Sequence, residues 1–336
     1  MKAGKISESV LKRSVIKYIG KRDKKMIKGA GVGEDCAFLQ CKGTKLAVST
    51  QTVTLPVDQT AKYAVYAAVN NLATKGIKTQ WLTMALTLPT SMEEKTLQDV
   101  MKQADKVCED LRIQIAGGHT EVSDKVSVPI VSVTAMGTEL LCANDECEQV
   151  AEAMKEKTNL DIVMTKWIGL EGTAMVAREK EEELLTRYPN LLIKTAQSFD
   201  RYLSLIPEAA TAGRSGVYTM HDIRNGGVFG ALYELAKRMG VGLSIDLKKI
   251  PVKQETIEVC EFFDLNPYEL LSGGSLLVVT KDGESLVEKL AEENINAAVI
   301  GKTTPGNDKV VVNDDETRFL EPAKADEIFK IDFMTT

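Results

Sequence analysis

A glycine-rich segment near the N-terminus could bring a backbone loop close to a phosphate. Residues 29–35 read GAGVGED, so Gly31 and Gly33 precede the carboxylate of Asp35. Glycine lets a backbone approach a phosphate closely, and an adjacent carboxylate can hold the Mg²⁺ that phosphates carry. A tight turn explains the same glycines equally well, and the segment lacks the Gly-Lys-Ser/Thr ending of a Walker loop.

A second polar segment follows a short apolar run. Arg112 to Ala116 is predicted as a strand that leads directly into Gly117, Gly118 and His119. This arrangement favours a Gly-Gly turn that presents a polar side chain, either within a site or as an ordinary turn at the end of a strand.

The third candidate segment carries the only other histidine of the chain. Residues 220–227 read MHDIRNGG, so His221 and Asp222 precede Gly226 and Gly227, which open a predicted helix at Val228. Backbone N–H groups at the start of a helix lack intrahelical partners and attract anions. The pattern predicts an anion or metal-phosphate site with unoccupied N–H groups, and it disfavours a histidine that merely packs in the core.

Four of the six cysteines form two pairs with the spacing Cys-x₄-Cys. The pairs are Cys36 with Cys41 and Cys142 with Cys147. Four thiolates could make a tetrahedral zinc site if the two loops met. The tighter Cys-x₂-Cys spacing is absent, and small buried hydrophobic residues are the competing interpretation.

Strands and amphipathic helices must position these segments. In the first half the predicted strands are 46–53, 81–88, 112–116 and 126–136, and the predicted helices are 61–72 and 92–111. Residues 142–158 are acidic and polar, which favours a domain boundary there. We therefore expect an N-terminal domain over residues 1–150 and a C-terminal domain over 151–336.

The second half has a similar mixture of elements. Its predicted strands are 161–166, 242–245, 275–280 and 297–301, and its clearest helix runs from Val228 to Met239. Because strands and helices do not alternate as regular βαβ units, we expect an α+β fold of helices against mainly antiparallel sheets.

Composition excludes several classes of protein. The 336 residues are 44% hydrophobic and 27% charged, which is ordinary for a folded chain. Forty-two Lys and Arg against 48 Asp and Glu give a net charge of −6, so a dedicated nucleic-acid binder is disfavoured. The absence of a signal-peptide pattern or an 18-residue apolar run predicts a cytoplasmic protein without a membrane segment.

Seven motifs occur in a fixed order along the chain: VGEDCAFL, STQTV, AVNNLATKGIKTQWLTMAL, AGGHTEV, TKWIGLEGTAMVA, HDIRNGGVFGALYELA and LNPYELLSGGSLLVV. Their order and spacing resemble those of the aminoimidazole ribonucleotide synthetase superfamily, and the match covers residues 28–301. The chain is most similar to the hydrogenase-maturation carbamoyl dehydratase branch. Its motifs resemble those of selenophosphate synthetase and thiamine monophosphate kinase less closely.

The resemblance implies an ATP-dependent enzyme that phosphorylates an oxygen or selenium nucleophile, often an amide oxygen that is then displaced. It also implies a homodimer whose N-terminal sheets join into a shared barrel, with a C-terminal α/β sandwich and with ATP and Mg²⁺ in clefts beside the barrel. Position by position, Asp35 and Asp222 match metal-binding carboxylates. The glycines that match nucleotide-contacting loops are Gly117, Gly118, Gly226 and Gly227.

The chain departs from the family pattern at several positions. Gln51 and Asn71 stand where the pattern has aspartates, and His119 replaces the acidic residue of several branches. Each amide still offers a carbonyl oxygen but removes a negative charge, so we expect weaker or fewer Mg²⁺ sites. The sequence ends IDFMTT rather than in the cysteine that accepts the carbamoyl group, so carbamoyl dehydration by that route is not expected.

Two hypotheses follow from these residues. The first is an ATP-dependent phosphoryl-transfer or dehydratase-type enzyme, with Asp222 and His221 at its centre and with a small-molecule or protein substrate. The second is a non-catalytic nucleotide-binding or scaffold dimer with a degenerate metal site. The two amides, Gln51 and Asn71, favour the second hypothesis, and the intact Asp35 and Asp222 favour the first.

Overall fold

The chain forms two compact units, and the computed structural model describes residues 7–19, 25–141, 156–322 and 325–333. The N-terminal unit contains residues 25–30, 35–140 and 332–333. The C-terminal unit contains residues 7–19, 31–34, 141 and 156–331 where described. The boundary expected near residue 150 lies outside the described residues.

Regular elements begin with one helix of the C-terminal unit, α1 (Glu8–Ser14). The N-terminal unit then has two helices, α2 (Thr60–Ala73) and α3 (Glu94–Leu111). Its strands are β1 (Met26–Lys28), β2 (Ala37–Cys41), β3 (Thr44–Val53), β4 (Ile77–Lys78), β5 (Trp81–Pro89), β6 (Gln114–Ser123), β7 (Ile130–Gly137) and β8 (Glu139–Leu140).

The main sheet of the N-terminal unit has six strands in the order β1-β2-β3-β7-β5-β6. All neighbours pair antiparallel except β5 and β6, which are parallel. Side chains alternate between the two faces of a strand. On β5, Leu82, Met84 and Leu86 are buried, whereas Trp81 and Ala85 on the opposite face are exposed. One face of the sheet therefore carries the core, beneath α2, and the other is open.

The Gly-Gly pair at residues 117 and 118 lies inside a strand, so the predicted turn at the end of a short strand is wrong. Strand β6 begins at Gln114 and continues to Ser123. Its register with β5 shifts beside Thr83, and a Cβ atom at Gly118 would lie 1.7 Å from the carbonyl oxygen of Met84. Glycine is needed here because two backbones approach closely at an irregular pairing.

The C-terminal unit is built on one seven-stranded sheet. Its strands are β9 (Asp161–Thr165), β10 (Thr219–Ile223), β11 (Gly242–Asp246), β12 (Ser275–Thr280), β13 (Ala297–Thr304), β14 (Lys309–Asn313) and β15 (Glu316–Phe319), in the spatial order β10-β12-β9-β13-β11-β14-β15. Its further helices are α4 (Leu170–Glu179), α5 (Glu181–Leu185), α6 (Asn190–Gln197), α7 (Ile206–Arg214), α8 (Gly227–Met239), α9 (Gln254–Phe262) and α10 (Gly283–Glu292).

The core of the C-terminal unit forms between α8 and the central strands. Val228, Leu232 and Leu235 of α8 are fully buried in one cluster with Ile162 of β9 and Leu277 of β12. The predicted stripe of apolar residues on this helix is confirmed as its buried face. Among the described residues, no helix is both long enough and apolar enough to span a membrane.

The expectation of helices against mainly antiparallel sheets is confirmed in both units. Each large sheet contains one parallel pair, β5 with β6 and β11 with β14. The N-terminal sheet of one chain is open, with β1 and β6 at its edges, and it forms no closed barrel. A barrel shared with a second chain stays a prediction.

Candidate functional site

In the N-terminal unit, Asp35 lies two residues before the start of β2 and forms an ion pair. Its Oδ2 atom is 3.6 Å from the Nζ atom of Lys75, and the two side chains are 16% and 12% exposed. Lys75 lies in the turn that follows α2, and this turn ends at Gly76, which has a left-handed φ of 70°. A positive charge at the C-terminal end of a helix interacts favourably with the helix dipole.

A buried chain of hydrogen bonds fixes the backbone at Asp35. The Asn71 side-chain amide donates to Ser49 Oγ at 2.9 Å, and that hydroxyl donates to the Asp35 carbonyl oxygen at 2.7 Å. The thiol of Cys36 donates to the Asn71 carbonyl oxygen at 3.2 Å. Asn71 is only 2% exposed, so its amide acts as an internal donor that positions the loop.

Gln51 is on the same face of β3 as Ser49, because the two residues are two positions apart along the strand. It is half-buried on the side of the sheet that α2 covers. The structure thus brings Asp35, Ser49, Asn71 and Lys75 into one network and places Gln51 on the same face of β3 as Ser49.

Taken by itself, the N-terminal unit offers a divalent cation one carboxylate among these residues. Mg²⁺ is usually bound through one or two carboxylates together with phosphates and waters. Here the single carboxylate of Asp35 already has an ammonium group at 3.6 Å, and positions 51 and 71 carry neutral amides. A cation placed at Asp35 would meet electrostatic repulsion from Lys75.

The zinc alternative fails at its first pair of cysteines. Cys36 precedes β2 and Cys41 ends it, so Cys41 lies five extended steps along the chain from Cys36, a distance of roughly 16 Å. Two sulfur atoms on one Zn²⁺ ion must lie within about 5 Å of each other. Cys36 is 4% exposed and Cys41 is exposed, whereas Cys142 and Cys147 lie outside the described residues.

His119 lies on the exposed edge strand β6, with 72% of its side chain exposed. Its Nε2 atom is 3.4 Å from Glu121 Oε2. Gly117 also lies on β6, and no atom lies within 4 Å of the position that a Cβ would take there. These residues share one strand edge that the structure leaves open to solvent.

In the C-terminal unit, His221 and Asp222 lie on the edge strand β10, which pairs with β12. His221 is 2% exposed, and its Nε2 atom lies 3.5 Å from Glu234 Oε2 of α8. Asp222, the next residue, points to the other face and is half-buried. The sequence analysis missed the strand that carries both residues, and it disfavoured a core position for His221, whose side chain is in fact buried.

The loop 31–34 packs against α8 within the same unit. Arg238 of α8 donates from Nη1 to the Gly33 carbonyl oxygen at 3.3 Å and from Nη2 to Thr219 Oγ1 and the Met220 carbonyl oxygen at 2.9 and 3.0 Å. Gly33 has a φ of 72°, which favours glycine. Arg238 ties the glycine-rich loop to the start of β10.

The prediction that the helix following Gly226 offers unoccupied N–H groups is wrong at Gly226. Its N–H donates to the buried carboxylate of Asp326 at 2.6 Å. At Gly227 a Cβ atom would lie 2.3 Å from the Tyr268 carbonyl oxygen, so this glycine permits close backbone packing. Asp326 is one hundred residues away in sequence, and no local pattern pointed to it.

Asp326 is a buried acid that holds three backbone segments. Its carboxylate also accepts from the N–H groups of Leu271 and Ile328, at 3.0 and 2.9 Å. Burial raises the pKa of Asp326 to about 6, against the lowering effect of the three backbone donors, and the nearby charge of Glu171 adds to the rise.

A buried ion pair lies close to the same loop. Arg224 donates from Nη2 and Nε to the two carboxylate oxygens of Glu171 at 3.2 and 3.3 Å, and Glu171 is 2% exposed. A Cβ atom at Gly273 would lie 1.9 Å from Glu171 Oε2. Glu171 is the charged residue in the first turn of a helix whose residues 170–177 are all buried, and that position is the signal in the sequence that could have revealed it.

Gly226 also lines a cavity of about 210 Å³ in the C-terminal unit. The apolar part of the lining includes Phe229, which stacks on Tyr268 with ring centroids 5.1 Å apart. Glu269 and Arg318 contribute charged groups to the lining.

Two family models cover most of the chain. The N-terminal domain of AIR synthase related proteins matches residues 33–138, and the C-terminal domain of the same family matches residues 157–313. The chain belongs to the AIR synthase related family.

Its relatives include hydrogenase-maturation proteins. A putative hydrogenase expression/formation protein of Methanocaldococcus jannaschii is 24% identical over 270 residues, covering 79% of this chain and 76% of the relative. The carbamoyl dehydratase HypE of Rhodobacter capsulatus is 25% identical over 275 residues, covering 79% and 77%.

Solved structures share the fold along nearly the whole chain. HypE in a complex with HypF matches with a TM-score of 0.69 at 21% identity, covering 87% of this chain and 94% of that one. HypE in complex with ATP matches with a TM-score of 0.66 at 17% identity, covering 97% of both chains. At these identities the likeness is one of fold.

Proposed function

We propose that this protein binds ATP and transfers its terminal phosphoryl group to an oxygen atom of a small-molecule or protein substrate. The observation that carries the proposal is the match in fold, over 97% of both chains, to a HypE structure that holds ATP. The family relationship to hydrogenase-maturation proteins agrees with it.

The residues of this chain would act through position and charge rather than covalent chemistry. Asp222 is the carboxylate that we propose for the Mg²⁺ accompanying the nucleotide, and a hard oxygen ligand suits that ion. His221, held 3.5 Å from Glu234, would orient the strand that presents Asp222. For the N-terminal unit, taken by itself, we propose that the backbone at Gly117 and Gly118, with His119 beside it, contacts a nucleotide.

The group that accepts the phosphoryl group determines which reaction the protein catalyses. Relatives named carbamoyl dehydratase and the HypE–HypF complex favour an acceptor presented by a maturation partner. In that reaction type an oxygen atom of the acceptor is phosphorylated, and the phosphate group then leaves and takes that oxygen atom with it. We propose a protein-borne acceptor of this kind.

A second candidate function is a nucleotide-binding scaffold without turnover. The specific observation in its favour is the neutral N-terminal network, in which Asn71 serves as an internal hydrogen-bond donor and Lys75 pairs with Asp35. Binding without phosphate release would distinguish this candidate from the enzyme.

Calorimetric titration of the full chain with ATP and Mg²⁺, followed by a phosphate-release assay, tests the proposal. We expect Asp222→Asn to weaken Mg²⁺-dependent binding at least tenfold while leaving the melting temperature without ligand unchanged. Asp314→Asn is the matched control, because Asp314 is 69% exposed and pairs with Lys248 on the surface. Equal binding by both variants would refute the assignment, and unfolding of Asp222→Asn would make Asp222 structural.

We also propose that the protein is a homodimer joined through its N-terminal sheet. The sheet has an open face and an exposed edge strand, β6, and such edges pair readily with another chain. Ala85→Arg, on the open face, should convert a dimer to a monomer in sedimentation equilibrium. Gln98→Arg, on the exposed surface of α3, is the control, and a monomeric wild-type protein at micromolar concentration would refute the proposal.

A further inference from the structure

The cavity beside Gly226 in the C-terminal unit is small, and three parts of the chain form its walls. Its volume of about 210 Å³ is below the roughly 300–1,000 Å³ of pockets that take drug-sized ligands, so its size favours a smaller molecule. Phe229 of α8 forms one wall, and Val311 of β14 and Leu320 form a second. The third wall is the segment between α9 and β12 that carries Glu269. The first two walls offer a surface for an apolar group.

Strand pairing places Arg318 at this cavity. In the antiparallel pair of β14 and β15, Arg318 lies directly opposite Val311, so the two side chains share one face of the sheet. Val311 is buried, and both residues line the cavity. Burial raises the pKa of Tyr268, and the positive charge of Arg318 opposes that rise. The guanidinium group is therefore close to the ring that stacks on Phe229.

The lining carries two opposite charges that are not paired with each other. Arg318 and Glu269 both line the cavity, yet within the described part of the chain neither side chain makes a hydrogen bond or an ion pair. Glu321, a third charged residue of the lining, already interacts with other groups. Recognition depends on complementary charges, so two separated charges of opposite sign match a ligand that itself carries both.

We propose that this cavity binds a free α-amino acid with an apolar side chain. Arg318 holds the carboxylate of the ligand, because the N–H groups of a guanidinium form a fork that matches a carboxylate. Glu269 accepts from the ammonium group, and the apolar side chain packs against Phe229 and Leu320. A peptide terminus has only one of these two charges on its last residue, so the pair favours a free amino acid. The inference goes beyond phosphoryl transfer and does not depend on it.

Calorimetric titration of the full chain with L-leucine tests the proposal. We expect saturable binding with a dissociation constant below about 1 mM. L-leucinamide lacks the carboxylate and 4-methylpentanoate lacks the ammonium group. Each should bind roughly 10- to 100-fold more weakly than L-leucine, the range of a hydrogen bond to a charged group. Glycine, which has no side chain to pack in the cavity, should also bind more weakly than L-leucine.

Two variants test the charged side chains one at a time. Arg318→Gln should weaken L-leucine binding by roughly 10- to 100-fold and leave L-leucinamide binding nearly unchanged. Glu269→Gln should weaken L-leucine binding similarly and leave 4-methylpentanoate binding nearly unchanged. Both variants should keep the melting temperature of the wild type, because neither side chain has a hydrogen-bond or ion-pair partner within the described residues. Arg214→Gln is the matched control, since Arg214 is 55% exposed, pairs with Glu293 and does not line the cavity.

Each outcome supports or overturns the amino-acid site. Binding of L-leucine that both Arg318→Gln and Glu269→Gln weaken, and that Arg214→Gln leaves intact, supports it whether or not the protein binds ATP. No saturable binding of L-leucine up to about 10 mM, ten times the expected upper limit of the dissociation constant, would refute it. If L-leucinamide or 4-methylpentanoate binds as tightly as L-leucine, one charge suffices and the cavity takes a peptide end instead. Equal binding by Arg318→Gln and Arg214→Gln would also overturn the proposal.

Discussion

Asp326 joins three stretches of backbone in the C-terminal unit through one carboxylate that is only 4% exposed. It accepts hydrogen bonds from the N–H groups of Gly226, Leu271 and Ile328. Replacing it with asparagine keeps one acceptor oxygen but removes the ionisable proton. The variant therefore isolates the titration of this single group.

The pKa of Asp326 sets both the sign and the size of the effect. Burial raises this pKa from the ordinary 3.8 to about 6, so the folded chain retains a proton that the unfolded chain has released. Stability contributed by this carboxyl group is present below about pH 3.8 and is lost as the pH rises through 6. The pKa difference corresponds to about 3 kcal/mol, at 1.36 kcal/mol for each pH unit.

Urea unfolding at a series of pH values measures this effect. Trp81 lies in the N-terminal unit and Trp167 in the C-terminal unit, and the chain has two tryptophans. In a Trp81→Phe background, fluorescence then reports the C-terminal unit alone. The free energy of unfolding of the protein with Asp326 should fall by about 3 kcal/mol relative to Asp326→Asn between about pH 3 and pH 7.

Comparison with the asparagine variant removes the contributions of other titrating groups, including Glu171, which adds to the raised pKa of Asp326. Parallel pH profiles for the two proteins would refute the reasoning, because they would mean that Asp326 has the same pKa folded and unfolded. A difference that grows in the opposite direction would mean that the three backbone donors outweigh burial.

Two further predictions concern stability. In urea unfolding, Gly118→Ala should destabilise the N-terminal unit by more than about 3 kcal/mol, since its Cβ would lie 1.7 Å from the Met84 carbonyl oxygen. The Cβ of Gly117→Ala meets no neighbouring atom, so that variant should lose less stability. Similar losses for the two variants would contradict the close approach. Arg224→Ala should lower the free energy of unfolding by about 3–5 kcal/mol, because it leaves the buried Glu171 carboxylate uncompensated. Adding Glu171→Gln to the same chain should recover part of that loss. If it recovers nothing, Arg224 acts through packing alone.

The sequence predicts elements well wherever their pattern is regular. Strand β12 has the predicted bounds, Ser275–Thr280, because six buried residues in a row leave little ambiguity. Helix α8 begins one residue before the predicted Val228. Strand β10 was missed because an edge strand that carries His221 and Asp222 looks like a polar loop in sequence.

Such sequence patterns cannot predict contacts between residues that are far apart in the sequence. Gly226 and Asp326 are one hundred residues apart, and Asp35 and Lys75 are forty apart, so no helical or strand period connects them. Asn71 illustrates the same limit within the site. Sequence identified its departure from the family pattern, but only the structure shows that its amide donates to Ser49.

Because the first described residues belong to the C-terminal unit, that unit cannot be expressed whole from the second half of the gene alone. Residues 7–19 and 31–34 belong to that unit, although more than a hundred residues separate them from residue 156. A fragment starting at 157 would lose Glu8, which lies 3.6 Å from Lys237, and the Gly33 carbonyl that accepts from Arg238. A C-terminal fragment for expression therefore needs the N-terminal segment restored, either as a second polypeptide or by circular permutation.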